Sequence, residues 1–313
     1  MSKYQEIDLS RIKTYSVTKR KSKTEISKFA KVSKPTDSIS TFRNKLPKYL
    51  KAEELNQFVK IMQNARKRNK PIIFMLGAHV IKCGLSPVII DLMKQGFVSS
   101  IALNGAGAIH DFELARWGAT SEDVGESIKK GFFGMAKETA ELFNRASLLA
   151  SKEDMGLGEA LGRNLLKDKS PYSKYSILAW AYKLNIPVTV HIGFGTDVVH
   201  QHPNFDAGST GKTTFRDFKI LAYMVAKLYD GGVVLNIGSA VFLPEVFLKT
   251  LSVARNIKKK VDNFYTANFD MIQHYRPNVN VVLRPTQDKG KGFSFTGHHE
   301  IIIPLLAWML KVK

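Results

Sequence analysis

The sequence predicts an α/β fold with a mainly parallel sheet covered by helices on both faces. Three observations point there. Short apolar runs recur along the chain, helical segments separate them, and the residues that follow each run are small and turn-forming. The run at 71–76 (PIIFML) lies between Lys70 and Gly77, too short for a helix and apolar on both faces, as a buried parallel strand requires. Further strands are expected over 98–103, 188–192, 233–237, 262–266 and 279–283. A helix is expected over 52–68, where Leu55, Phe58, Val59 and Met62 fall at helical spacing. Another over 86–95 has Pro87 in its first turn and Gly96 at its end, and two more span 175–184 and 215–229.

Composition narrows the function classes. Residues 1–50 hold 13 Lys or Arg against four acids, part of a net charge of +20. The remaining excess is spread over helical faces, with no RNA-binding aromatic signature and no zinc-finger spacing, so nucleic acid is not the expected partner. Residues 1–40 read as a basic, partly extended arm and 41–313 as one domain. The stretch 14–40, rich in Ser, Thr and Lys and broken by Pro35, would be ordered by contact with another subunit. The single cysteine, Cys83, excludes an intrachain disulfide, and its plain reading is a small buried side chain. No secretory leader is visible in the opening residues and no apolar run is long enough to span a bilayer, so a cytoplasmic protein is expected.

In a parallel sheet, ligands gather beyond the carboxyl ends of the strands. Here those ends read Gly77-Ala78-His79, Asn104-Gly105-Ala106-Gly107-Ala108-Ile109-His110-Asp111, Gly193-Phe194-Gly195-Thr196-Asp197, Gly238-Ser239-Ala240 and Thr266-Ala267-Asn268. Glycine lets backbone N–H groups approach a phosphate, and a helix N-terminus favours the anion. Five such turns on one sheet edge predict a nucleotide-sized cleft. Two other glycine clusters do not carry this meaning. Gly208 to Thr213 lacks a Walker loop's first glycine, because Asp206 stands there, and the Gly156 to Gly162 cluster reads as a tightly packed helix start. Asp197, His200 and His202 have ligand-type side chains, but no paired His or Cys spacing supports zinc, and no metal is expected.

Taken in order from about residue 70 to the C-terminus, these segments resemble the deoxyhypusine synthases. Cys83-Gly84-Leu85-Ser86 is similar to the family's Ser-Gly-Ile/Leu-Arg segment, and Gly105 to Asp111 to its Thr-Ala-Gly-Gly turn with a following Asp. Ile186-Pro187-Val188 leading to Thr196-Asp197, then Ile237-Gly238-Ser239, Thr266-Ala267 and Ile303-Pro304-Leu305-Leu306, follow the family's order. The resemblance implies a Rossmann-like fold, NAD as cofactor and a homotetramer. It also implies that Asn104, Gly105, Gly107, Asp111, Gly238, Ser239, Thr266 and Ala267 hold the dinucleotide.

The departures fall on the substrate half. The family's Trp-Gly-Lys, whose lysine captures a butylimine, aligns with Val282-Leu283-Arg284, and a guanidinium is not a nucleophile. Only a loop shift would bring Lys289 or Lys291 to that place. Paired glutamates become Ile109 and His110, a polyamine-binding Asp falls near His202, and a His-His pair falls near Leu243-Pro244. The expectation is an NAD-binding, transferase- or oxidoreductase-like enzyme on a small substrate other than spermidine, with a neutral or anionic ligand. His110 would be the acid/base, Asp197 would orient a partner, and Arg284 would fix an anionic group. The alternatives are the authentic aminobutyl transfer through a displaced lysine and a non-catalytic nucleotide-binding scaffold.

Overall fold

The computed structural model describes residues 2–258 and 260–312. Six strands are formed: β1 (Ile72–Leu76), β2 (Ser100–Asn104), β3 (Val188–His191), β4 (Val233–Ile237), β5 (Phe264–Asp270) and β6 (Gly290–Thr296). They pair in the order β3-β2-β1-β4-β5-β6, every pair parallel. This is the strand order of the Rossmann fold, and the direction in which successive strands are added reverses between β1 and β4. The period of two along β1 builds both cores. Ile72, Phe74 and Leu76 enter one apolar layer, and Ile73 and Met75 enter the other.

The long connection between β2 and β3 holds the helices Gly105–Trp117, Val124–Lys129, Lys137–Lys152, Leu157–Lys167 and Ile177–Lys183. Its glycine cluster is a packing device. A Cβ on Gly158 would overlap the Val188 carbonyl of β3, and one on Gly162 would overlap the Leu178 carbonyl, so helix Leu157–Lys167 lies directly on its neighbours. Lys212, in the Walker-like segment, donates to the Ser151 carbonyl at 2.6 Å and pairs with Asp154 at 3.0 Å. The expected helix 215–229 instead spans Ala207–Val225, because Asp206 caps it by accepting from the Ser209 N–H at 2.6 Å.

Two strand assignments need correction. Residues 279–283 are helical, continuing Tyr275–Pro277 through Asn278–Leu283. Their burial is one-sided, with Asn280 and Val281 inside and Leu283 out, as on a helix flank. The sixth strand is Gly290–Thr296, where Phe293 and Phe295 are buried on one face while its exposed ends, Lys291 and Thr296, are not. Both rings pack on Phe58, at centroid distances of 5.3 and 5.8 Å. The expected strand 262–266 is displaced to Phe264–Asp270, which places Thr266 and Ala267 inside the strand. Its polar Asn268 is buried yet paired, accepting from Asn236 at 2.7 Å and donating to Gln273 at 2.8 Å.

The N-terminal stretch makes short helical turns at Leu9–Arg11, Val17–Lys19 and Ile26–Lys28. It touches the rest through Lys48 N–H to the Lys28 carbonyl (3.0 Å) and Tyr49 Oη to the Glu25 carbonyl (2.8 Å). Tyr4, Ile7, Leu9, Ile12 and Tyr15 remain exposed.

Asp111 is enclosed within the fold. Its carboxylate accepts from Ser176 Oγ at 2.5 Å and from the N–H groups of Ile177 and Leu178 at 2.8 and 3.1 Å, capping helix Ile177–Lys183. Burial outweighs these bonds and raises its pKa to about 6. Asp111→Ala is expected to lower unfolding stability by about 2–3 kcal/mol in urea titrations, with Asp111→Asn losing less. Equal stability of Asp111→Ala and the parent would show the carboxylate to be free for a ligand.

Candidate functional site

The carboxyl ends of β2 and β3 deliver two chain segments to one place. β2 ends at Asn104, whose side chain caps helix Gly105–Trp117 by accepting from the Gly107 N–H at 3.0 Å. β3 is followed by the turn carrying Asp197, whose carboxylate lies beside the Ala106 N–H in the same first turn, close enough for that dipole to lower its pKa. A Cβ on Gly105 would overlap that carboxylate, so only glycine admits it. The helix N-terminus expected to meet a pyrophosphate is thus occupied by two side chains of the chain itself.

Asp197 is 7% exposed, and its Oδ2 has no hydrogen-bond partner among the described residues. His200 Nε2, also unpartnered, lies 4.0 Å from it, while His200 Nδ1 accepts the Gly195 N–H at 3.1 Å. Burial lifts the Asp197 carboxyl to about 7, opposed by the Ala106 N–H, and burial also depresses His200.

Beside this pair opens a cavity of about 870 Å³, bounded by helix Gly105–Trp117, residues 119–139 and residues 196–198. One wall is aromatic, with Trp117, Phe132 and Phe133. Another is polar. His110 Nδ1 lies 2.6 Å from Thr120 Oγ1, Thr120 donates to one oxygen of Glu113, and Thr139 donates to the other at 2.8 Å. Burial depresses His110, with Lys82 acting in the same direction and Glu113 against it. Four carboxylates, Glu113, Glu122, Glu138 and Asp197, face the cavity against one lysine, Lys82. This acidity stands out in a chain of net charge +20.

Of the residues singled out in sequence, His110 and Asp197 meet at the cavity, with Asn104, Gly105 and Gly107 behind it. Gly238 and Ser239 follow β4 on the other side of β1. Gly238 has φ +69°, with the buried His299 ring against it, and Ser239 Oγ accepts the Leu243 N–H at 3.2 Å. Thr266 and Ala267 are fully buried in β5. Arg284 is not brought to the cavity. It flanks the far edge of the sheet and donates to Asn280 Oδ1 at 3.0 Å. That is at least three strand spacings from β2, or about 14 Å. Lys289 and Lys291 stand at the amino end of β6, with Nζ atoms 3.8 Å from Asp262 and 3.0 Å from Gln57. Asp206 caps its own helix, and Glu245 is bound by Lys249, Arg276 and Asn280. His202 Nε2 pairs with the Gly134 carbonyl at 2.8 Å, and among the described residues no cluster of three His, Cys, Asp or Glu could hold a metal. Glu113, Thr120, Thr139 and Lys82 were not legible as site residues. Only the helical i, i+3 spacing of His110 and Glu113 signalled any of them.

A carboxyl whose folded pKa is raised contributes stability at low pH, and that contribution is lost as pH rises through the folded value. For Asp197 the window runs from about 4, its ordinary range, to about 7. Relative to Asp197→Asn, the parent should therefore lose stability between pH 4 and 7, by an amount on the order of a few kcal/mol, and level off above. Parallel curves for the two proteins in urea denaturation would contradict a neutral, buried Asp197.

No family model and no curated protein matches the sequence. Solved structures do. A protein from Methanococcus maripaludis S2 named for LOR/SDH shares 17% identity at a TM-score of 0.51, covering 84% of this chain and 70% of that one. AgrE, solved as a ternary complex with ornithine and NAD+, shares 12% at a TM-score of 0.53, covering 82% of this chain and 32% of its own. A protein from Entamoeba histolytica named as a deoxyhypusine synthase shares 11% at a TM-score of 0.50, covering 88% and 93%. The chain spans about a third of AgrE and most of the Entamoeba protein. At these identities the likeness is one of fold, and the fold is the Rossmann-like α/β plan.

Proposed function

We propose that the protein is an NAD-binding enzyme, deoxyhypusine synthase-like in plan, that acts on a small substrate held in the cavity beside His110 and Asp197. The observation that carries this reading is the strand order, which puts the sheet's switch point between β1 and β4, where both strands end in glycine turns. Gly77-Ala78-His79 and Gly238-Ser239-Ala240 face each other there. His79 is exposed and Ala78, Gly238 and Ala240 are half-buried; the Gly77 and Gly238 N–H groups are held by the Ile237 and Phe269 carbonyls, so the amides that follow them would meet a pyrophosphate. Lys82, one helical turn past Ala78, stands on the cavity wall and links crevice to cavity. The Gly77 and Gly238 turns would hold NAD, which when bound would supply a hydride acceptor. His110 and Asp197 would exchange protons with the substrate, one nitrogen base and one carboxyl held by their surroundings on opposite sides of their usual behaviour.

The substrate class departs from the expectation of a neutral or anionic ligand. Three glutamates, Glu113, Glu122 and Glu138, against one lysine favour a protonated amine, because a buried cation needs an opposite charge nearby. Authentic aminobutyl transfer gains from that acidity. It loses from the placement of Lys289 and Lys291 at the opposite edge of the sheet from the cavity. The exposed apolar residues of the N-terminal arm support assembly with further copies, a tetramer by family likeness.

Calorimetry tests both halves. NAD should bind the parent and bind Ala78→Glu about tenfold or more weakly, since the added carboxylate faces the phosphates while remaining favourable at a helix start. With NAD present, small amines should bind more tightly than carboxylates or phosphates of similar size. Unchanged NAD affinity in Ala78→Glu would remove the crevice assignment, and preference for the anions would remove the amine reading.

A further inference from the structure

We infer that Glu113 and Thr120 are positioning residues that hold His110 in its Nδ1–H tautomer, leaving Nε2 as an unprotonated base on the cavity wall. Glu113 accepts from Thr139 Oγ1 on one oxygen and from Thr120 Oγ1 on the other. An ionised carboxylate offers only acceptors, so the single hydroxyl proton of Thr120 goes to Glu113. The Thr120 oxygen then has only lone pairs left for His110 Nδ1, 2.6 Å away. Nδ1 must therefore donate. A neutral imidazole carries one proton, so Nε2 is bare.

The surroundings support this order of donors. Among the described residues nothing bonds to Nε2, and His110 forms part of the cavity wall. His110 Nδ1 is 3.9 Å from Glu113 Oε2, too far for a direct bond, so Thr120 is the intermediary. The charged groups around the ring are Glu113 on its own helix, Lys82 from the helix after β1, Asp197 from the turn after β3, and Glu122 and Glu138 across the cavity. Burial and Lys82 keep the free imidazole neutral near pH 7.

The consequence for chemistry is direct. When a ligand O–H or N–H gives up its proton, the Nε2–H bond forms and the electron pair stays on the ligand atom. The imidazolium so created is balanced through Thr120 by the Glu113 carboxylate, a third group that orients the base. The bland alternative is a staple. Thr120 and Thr139 both pin residues 118–139 to helix Gly105–Trp117, and a staple alone has no reason to select a tautomer.

This inference deepens the proposed role of His110, and its test needs no substrate. Nitrogen-15 histidine NMR of the full chain at pH 7.5, with His110 assigned by comparison with His110→Gln, reads which nitrogen carries the proton. The parent should show Nδ1–H. Thr120→Val should lose that signal and show Nε2–H, Thr120→Ala should do the same, and Thr120→Ser should keep the parent pattern. Parent protein with Nε2–H, or Thr120→Val and Thr120→Ala retaining Nδ1–H, would overturn the relay while leaving NAD binding untouched. Loss of NAD binding with the Nδ1–H pattern intact would instead defeat the function and spare the relay.

Discussion

The N-terminus of helix Gly105–Trp117 sets the arrangement on which the site depends. Its first N–H groups are drawn inside the protein and must find acceptors. Asn104 supplies one from the end of β2, and from beyond β3 the Asp197 carboxylate packs against the same first turn at Gly105 and Ala106. The second contact ties two strand ends together and forces Gly105 to carry no side chain. It also seats Asp197 in the cavity wall with one oxygen unpaired.

The same helix has a second, inner face. Asp111 turns inward and caps helix Ile177–Lys183, while His110 and Glu113 turn toward the cavity. Helix capping and cavity lining are therefore divided between neighbouring residues of one helix. The division explains how a motif-like Asp can be structural while the histidine before it faces open space. It also explains the inversion of charge: the chain is basic, yet Glu113, Glu122, Glu138 and Asp197 all converge on one cavity.

The parallel sheet was legible because β1 to β4 are buried on both faces and so read as short apolar runs. β6 was missed because it buries one face only, its Phe293 and Phe295 alternating with Gly292 and Ser294, so it shows no short apolar run. The run at 279–283 imitated a strand because β-branched residues also cover a helix flank. At the site, turn glycines and the polar residues beside them were visible from the order of the strands. Thr120, Glu113 and Thr139 were not, since their meeting depends on the path of residues 118–139 and on no local pattern. Arg284 was placed by alignment to a motif that the chain does not contain, and the helix that replaces the expected strand carries it to the flank.

The central claim is that the crevice between β1 and β4 and the cavity beside β2 form one site. A crystal structure of the protein soaked with NAD+ tests it most directly. The account predicts the pyrophosphate between the Gly77 and Gly238 turns and the nicotinamide ring against His110 at the cavity. A dinucleotide confined to the cavity, or one whose nicotinamide points toward β5 and β6, would contradict it.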